Sequence, residues 1–399
     1  MYNIHSHYEN LISFIKTIIP NFRLVYLHPF GTSNVENMEQ HHTGVDGPTF
    51  LCYDQEPLIL EHNKNLFDYI NEHKFKEQSI VLLNTEKDSE EKNTILNKYG
   101  FVDCYYFFHI FAAADWYRGS QYYYNFTPIS SRKINKKYIT FNRLTGNARV
   151  YRSYFVSELS KLNLLDKGHV SYSEVCPEHG HYQQNIIQSI SKYNVPESYA
   201  LNTIDELNTK VKFPLRIDSS TETQIPNKSF VLSAIPEMME SFLHVVTETC
   251  FWENKKHLTE KIFKPIVAKQ PFVLLGCAHN LQYLREYGFK TFNHWWDESY
   301  DSIENPIERM HAVVKIVDKI CSMTDKELFM LLLDMQEVLE HNYNLFYSQQ
   351  FINNAWNELK NNIIKSIVQL PPETFEEMPH HNQTGTLYRK IHGLSPIDI

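Results

Sequence analysis

Three places in the chain set charged side chains directly after a short apolar run, where the carboxyl edge of a parallel sheet would present them. The first is "FLCYDQEPL", in which Asp54 and Glu56 follow the run ending at Tyr53. Either carboxylate could take the proton of a substrate hydroxyl. The plainer alternative is a helix start, with Asp54 as its cap and both acids near the positive end of the dipole. The second is "ITFNRLTGNARVYRSYFVSEL", in which Arg143, Arg149 and Arg152 surround a loop carrying Gly146 and Asn147. A helix start already attracts anions through its free N–H groups. Arginines there oppose the dipole unless an anion compensates them, so this trio reads as a diphosphate cradle. Surface arginines paired with acids such as Glu158 are the ordinary explanation. The third is "HLTEKIFKPIVAKQPFVLLG". Thr259 can cap a short helix whose first turn holds Glu260 and Lys261. The glutamate could accept from the two hydroxyls of a ribose, and the lysine could meet a phosphate. A capped helix with a solvated charge pair explains Glu260 well and Lys261 less well.

The surrounding pattern supplies elements to position these groups. "RLVYL", "TFLCY", "IVLLN" and "CYYFF" are apolar runs of strand length separated by helix-compatible polar stretches such as "KDSEEKNTILNKYG". Continuous apolar strands alternating with helices predict a parallel sheet covered on both faces. The polar segment 119–137 carries Pro128 and ends in a basic cluster, which marks a boundary. The pattern then restarts with "YITFN", followed by the strands "FVLSA", "LHVVTE" and "FVLL". Beyond about residue 303 the chain reads as helices: "IERMHAVVKIVDKICSM", "DKELFMLLLDMQEVLEHNYNLF" and "QQFINNAWNELKNNIIKSIVQ". This predicts an α/β protein with two Rossmann-like domains: 1–125, a linker at 126–137, then 138–345, with 346–399 packing back as helix and tail.

Composition narrows the function classes. The 399 residues are 42% hydrophobic and 14% aromatic, enough for two ordinary cores. A net charge of −9 argues against gripping nucleic acid through bulk charge. The six cysteines are scattered with no CxxC pair, which reads as reduced core thiols rather than a disulfide framework. The N-terminal stretch is amphipathic, with Leu11, Ile12, Phe14, Ile15, Ile18 and Ile19 at helical spacing, interrupted by Lys16. It lacks the basic region and cleavage site of a signal peptide, and no run is long enough to span a bilayer, so a cytoplasmic protein is expected. The histidines of "CPEHGH" and the pairs at 41–42 and 380–381 lack zinc spacing, and neither a Walker A nor a GxGxxG motif is present. No metal or cofactor is expected.

The charged clusters together resemble GT-B glycosyltransferases of the α1,3-fucosyltransferase type, and especially the glycosyltransferase-like proteins that phages encode. The resemblance rests on "TETCFWENKKHLTEKIFKPIVAKQPFVLLG" and on Arg152, Phe155 and Leu159, which hold an R-x-x-F-x-x-x-L spacing. "NHWWDESYD" is similar to the region after the donor strands of the phage-type proteins. The match covers roughly residues 138 to 345. It departs at "TET", where the family has "FEN", and at Lys269, where a small residue or glycine is usual.

The resemblance implies a GT-B fold of two facing domains and transfer of a sugar from a UDP- or GDP-linked donor to an acceptor hydroxyl, inverting and without a metal. It implies that Arg152 and Lys261 hold the donor diphosphate, that Glu260 binds the ribose, and that Glu248 matches the glutamate of "FEN". "YDQEP" then falls in the acceptor domain, with Glu56 or Asp54 as base. A glycan acceptor fits the acidity of the chain. The phage-type likeness raises a second acceptor, 5-hydroxymethylcytosine in DNA, which would need a basic, aromatic-lined groove. Arg132, Lys133, Lys136 and Lys137 near Tyr122–Tyr124, with Lys255 and Lys256, are the residues to form it. A different class is a non-catalytic protein that binds a nucleotide sugar or a glycan. For a phage protein, the cytoplasm would be the host's.

Overall fold

A computed structural model describes residues 4–27, 38–43, 47–73, 80–120, 126–217, 232, 234–371 and 374. The chain divides into two compact units, residues 1–112 with 349–399, and residues 113–348. The division falls within the helix Phe108–Ser120, not in the segment 126–137, which belongs to the second unit.

The first unit is built on a five-stranded sheet. Its strands are β1 (Arg23–Leu27), β2 (Met38–His42), β3 (Thr49–Tyr53), β4 (Ile80–Asn84) and β5 (Val102–Tyr105), in the order β2-β1-β3-β4-β5. β2 is antiparallel to β1, and the others run parallel, with Val25 opposite Leu51 and Leu51 opposite Leu82. Every residue of β3 and β4 is buried, as continuous apolar strands require when both sheet faces are covered. The crossovers β3–β4 and β4–β5 advance in one direction, so right-handed connections place α2 (Leu60–His73) and α3 (Glu90–Tyr99) on one face. The core there confirms it: Val25, Leu51, Tyr53 and Leu82 pack with Leu66, Phe67 and Ile70 of α2 and with Ile95 and Tyr99 of α3. The alternate strand residues face α1 (Ile4–Lys16) and the long helix Gln349–Val368, whose Trp356 packs at a tilt against Phe14 and Phe111.

The second unit centres on β6 (Lys136–Phe141), β7 (Gly168–Ser171), β8 (Ser241–Thr247) and β9 (Phe272–Leu275), all parallel, in the order β9-β8-β6-β7. The order reverses between β6 and β8. That is the topological switch of a doubly wound sheet, the place where such sheets generally bind ligands at the carboxyl ends of their strands. The first unit has no such reversal among its parallel strands. Helix α4 (Phe108–Ser120) spans the division; around this sheet lie α5 (Tyr151–Lys161), α6 (Tyr182–Lys192), α7 (Glu197–Lys210), α8 (Ile235–Glu240), α9 (Phe263–Val267), α10 (Asn280–Glu286), α11 (Pro306–Ser322), α12 (Asp325–Asp334) and α13 (Gln336–Tyr347). The helix Gln349–Val368, α14, returns to the first unit.

Several expected elements differ. "CYYFF" overshoots: its strand ends at Tyr105, and Phe108 begins α4. "FVLSA" is not a strand where it is described, since Leu232 and Ala234 carry no strand structure and its other residues lie outside the described ones. "DKELFMLLLDMQEVLEHNYNLF" breaks at Met335 into α12 and α13. β2 and β7 were not expected, because "MEQHH" and "GHVS" carry no apolar run.

Candidate functional site

In the second unit, the loops leaving β6 and β8 stand side by side at the switch. The β6 loop begins with Asn142, whose backbone N–H donates to Ser171 Oγ at 2.8 Å. Four buried polar atoms of this neighbourhood have no hydrogen-bond partner among the described residues: Asn142 Oδ1, Arg143 Nε, Thr145 Oγ1 and Arg152 Nε. Arg143 itself is half-buried. Arg149 lies in the 3-10 turn Asn147–Val150 and is also half-buried. α5 therefore starts two residues after Arg149, with Arg152 in its first turn.

Arg152 is buried, and most of its guanidinium is occupied. Nη1 donates to Leu144 O at 2.9 Å, and Nη2 donates to Thr247 O at 2.8 Å and Glu248 O at 3.1 Å. It ties the β6 loop to the end of β8, and only Nε remains without an acceptor. Tyr151 supports the same junction, donating its hydroxyl to Glu248 O at 2.5 Å.

Glu248 follows β8 directly and is fully buried. Its Oε2 accepts from Thr259 Oγ1 at 2.5 Å and from Thr249 N at 3.3 Å, and its Oε1 accepts from Thr259 N at 3.3 Å. The carboxylate thus anchors the start of the turn Glu260–Ile262. Thr259 caps that turn by accepting from Lys261 N. Lys261 Nζ donates to Glu260 Oε1 at 2.9 Å, to Thr259 Oγ1 at 3.2 Å and to Thr249 Oγ1 at 3.4 Å. Glu260 is buried and Lys261 is partly exposed. Glu248, Thr259, Glu260 and Lys261 form one cluster, as their sequence position implies. The turn is a 3-10 piece of three residues leading into the short α9, not the first turn of one regular helix. Thr249 is a member that the sequence did not single out.

The carboxylates after β3 sit in the first unit and differ from each other. Asp54 is buried, whereas Glu56 is half-buried. Tyr8 of α1 donates its hydroxyl to Asp54 Oδ1 at 3.0 Å, and Gln55 Nε2 donates to the Tyr8 hydroxyl at 2.9 Å. Asp54 Oδ2 is buried with no partner among the described residues. Burial pushes the Asp54 carboxyl up to about 7, and the Tyr8 hydrogen bond and nearby His109 hold it from rising further. The helix-cap explanation for Asp54 fails. α2 begins only at Leu60, and the amides around its start are served by Glu86, to Leu58 N at 3.2 Å, and Glu91, to Leu60 N at 2.7 Å. Tyr8 and His109 lie 46 and 55 positions away, so no local pattern pointed to them.

The residues named for a nucleic-acid groove are placed otherwise. Arg132 is buried and donates to Thr127 O, Ala268 O and Lys269 O at 2.7–3.0 Å, closing the carboxyl end of α9. Lys136 and Lys137 hold Asp166 O and Met323 O, and Lys137 also pairs with Asp325. Lys255 is buried, and Lys256 pairs with Glu286. Lys133 is exposed, and residues 122–124 lie outside the described residues. The acids of "NHWWDESYD" serve structure: Asp301 accepts from Leu281 N and Gln282 N of α10, and Glu298 accepts from Phe292 N. Among the described residues, no group of three His, Cys, Asp or Glu side chains is arranged to hold a metal ion. Among them no helix is long and apolar enough to cross a membrane.

Scans against models of protein families, against curated proteins and against solved structures returned no match. The structure defines an α/β architecture with one mostly parallel and one parallel sheet, Rossmann-like in its second unit.

Proposed function

We propose that the protein is a glycosyltransferase of GT-B type, moving a sugar from a nucleoside-diphosphate donor to a hydroxyl, with a glycan as acceptor. The observation that carries this reading is the set of polar groups at the β6/β8 switch. Two buried guanidinium Nε atoms without acceptors, Arg143 and Arg152, lie on the loop and helix that leave β6, and the Glu260–Lys261 pair is anchored through Glu248 at the end of β8. In this scheme the acceptor oxygen forms a bond to the anomeric carbon as the bond to the diphosphate oxygen breaks. Lys261, Arg143, Arg149 and Arg152 stabilise the charge that develops on the leaving diphosphate. Glu260 accepts from the ribose hydroxyls. The acceptor proton passes to a carboxylate acting as general base. Asp54 suits that role, because a carboxyl poised near 7 with an unpartnered oxygen can both hold and release a proton at neutral pH. Glu56 is the other carboxylate of the same turn.

The test is a thermal-shift screen against UDP, GDP, ADP, CMP and dTDP without added metal. Binding to the folded state raises the midpoint with affinity. One diphosphate is expected to give a clear shift, and Lys261→Ala to weaken its binding by roughly tenfold or more, the worth of a charge-assisted hydrogen bond. No shift with any of the five would remove the reading. Nucleotide binding without transfer to any of a broad panel of acceptors would favour a non-catalytic binding protein. Transfer to hydroxymethylated DNA in place of glycans would identify the second acceptor class.

A further inference from the structure

A separate cavity of about 320 Å³ opens in the second unit, between the turn that starts at Asn147 and the face of α6. It is lined by Asn147, His179, Asn185, Gln188, Ser189, Lys192 and Tyr193. We propose that this cavity binds a small hydroxylated molecule carrying a phosphate, either a sugar phosphate or the ribose-phosphate part of a nucleotide.

The lining is the argument. Three carboxamides, a phenol and an imidazole bring both donors and acceptors to the lining, which suits the hydroxyls of a ring; the Ser189 hydroxyl is taken up by Tyr154 and Ile186 O. None of the seven residues is acidic, and the one charged group is the Lys192 ammonium. The cavity is at the small end of the ~300–1,000 Å³ range of ligand sites, so one ring with its phosphate fits better than a larger ligand. The walls are also held in place. Asn147 adopts a left-handed conformation, with φ 52°, and its Oδ1 accepts from Lys192 Nζ at 2.8 Å and the Tyr193 hydroxyl at 3.2 Å. Asparagine is among the few residues besides glycine that take this backbone readily, and the two hydrogen bonds fix its side chain there. The Tyr193 ring stacks on Trp252 with centroids 4.8 Å apart. Gly146 lets His179 lie against the backbone, since a Cβ there would meet the His179 Cβ at 2.2 Å and its imidazole at 2.6 Å. The His179 imidazole is held below its ordinary range chiefly by burial, with Glu178 pulling it up and the cations Arg149 and Lys192 pressing it down.

This inference stands without the transferase reading. The experiment is calorimetric titration of the full chain with ribose 5-phosphate, glucose 1-phosphate, UDP, GDP and inorganic phosphate. It is repeated on Lys192→Gln, Gly146→Ala and Lys261→Ala, each checked for an unchanged circular-dichroism spectrum. At least one organic phosphate is expected to bind, with Kd raised about tenfold in Lys192→Gln and in Gly146→Ala. A sugar phosphate indifferent to Lys261→Ala would identify the first source. A nucleotide weakened by Lys192→Gln and Lys261→Ala alike would identify the second. If Gly146→Ala does not fold, Lys192→Gln alone decides. The proposal is overturned if no organic phosphate binds or if inorganic phosphate binds as tightly as the organic ones. It is also overturned if binding is unchanged in Lys192→Gln; should Lys261→Ala weaken that same binding, the donor-site assignment would survive while this cavity's would not.

Discussion

At the scale of single residues, Asp54 carries the sharpest expectation. Its carboxyl is raised from 3.8 to about 7, so the folded chain keeps a proton that the unfolded chain has already lost. Between those two values the folded state binds more protons, and stability must fall as pH rises through the window. Asp54→Asn keeps the shape and removes the titration. Denaturant unfolding from pH 4 to pH 8 should show the wild type losing stability relative to Asp54→Asn, on the order of 4 kcal/mol across the range. Parallel curves would refute the assignment. Tyr8→Phe should shift the inflection upward, because the lost hydrogen bond had favoured the charged form. If Asp54 is also the base, activity should rise through about pH 7 in the wild type and lose that limb in Asp54→Asn, while Glu56→Gln should retain it. The sequence placed both carboxylates at a strand end but could not rank them, since the ranking comes from burial under α1, far away in the chain.

At the scale of elements, legibility followed the apolar runs. "RLVYL", "TFLCY", "IVLLN" and "FVLL" match β1, β3, β4 and β9 residue for residue, because strands buried on both faces must be continuously apolar. The polar edge strand β2 and the short β7 have no such signature. β7 depends on a glycine instead: a Cβ at Gly168 would meet the Tyr138 ring at 2.4 Å, so that ring crosses β7 only where no side chain stands. Of the candidate site, the Glu248–Lys261 cluster was legible because it is local in sequence. Arg132 was misread, because its acceptors, Ala268 O and Lys269 O, lie more than 130 residues away. They end α9, where Lys269 takes a left-handed conformation with φ 47°. That conformation favours glycine, the residue the resembled family often has there. Arg132→Met should therefore strip three carbonyls of their donor, one buried and two partly buried, and cost about 2–4 kcal/mol of stability, read by chemical denaturation. A loss of anion or DNA binding with stability intact would restore the surface reading.

At the scale of the molecule, the first unit is discontinuous. Phe351, Ala355, Leu359, Ile363 and Ile367 of α14 are buried, and Asn362 donates to Tyr105 O at the end of β5. Removing residues 349–399 should expose amides of β1, β3 and β4 to hydrogen exchange while those of β6, β8 and β9 keep their protection. Equal loss in both sheets would mean that the two units do not fold as separate cores. The same discontinuity orders events on the ribosome. Domains usually mature in the order in which they are made, at ~5–20 residues per second. Here the later segment, 113–348, has all of its core as soon as it emerges, whereas the earlier one must wait for α14. During that interval Phe14 and Phe111 lack the indole of Trp356. The half of the protein that is synthesised first is thus the last to be finished, and it is the half that a nascent-chain chaperone would have to guard.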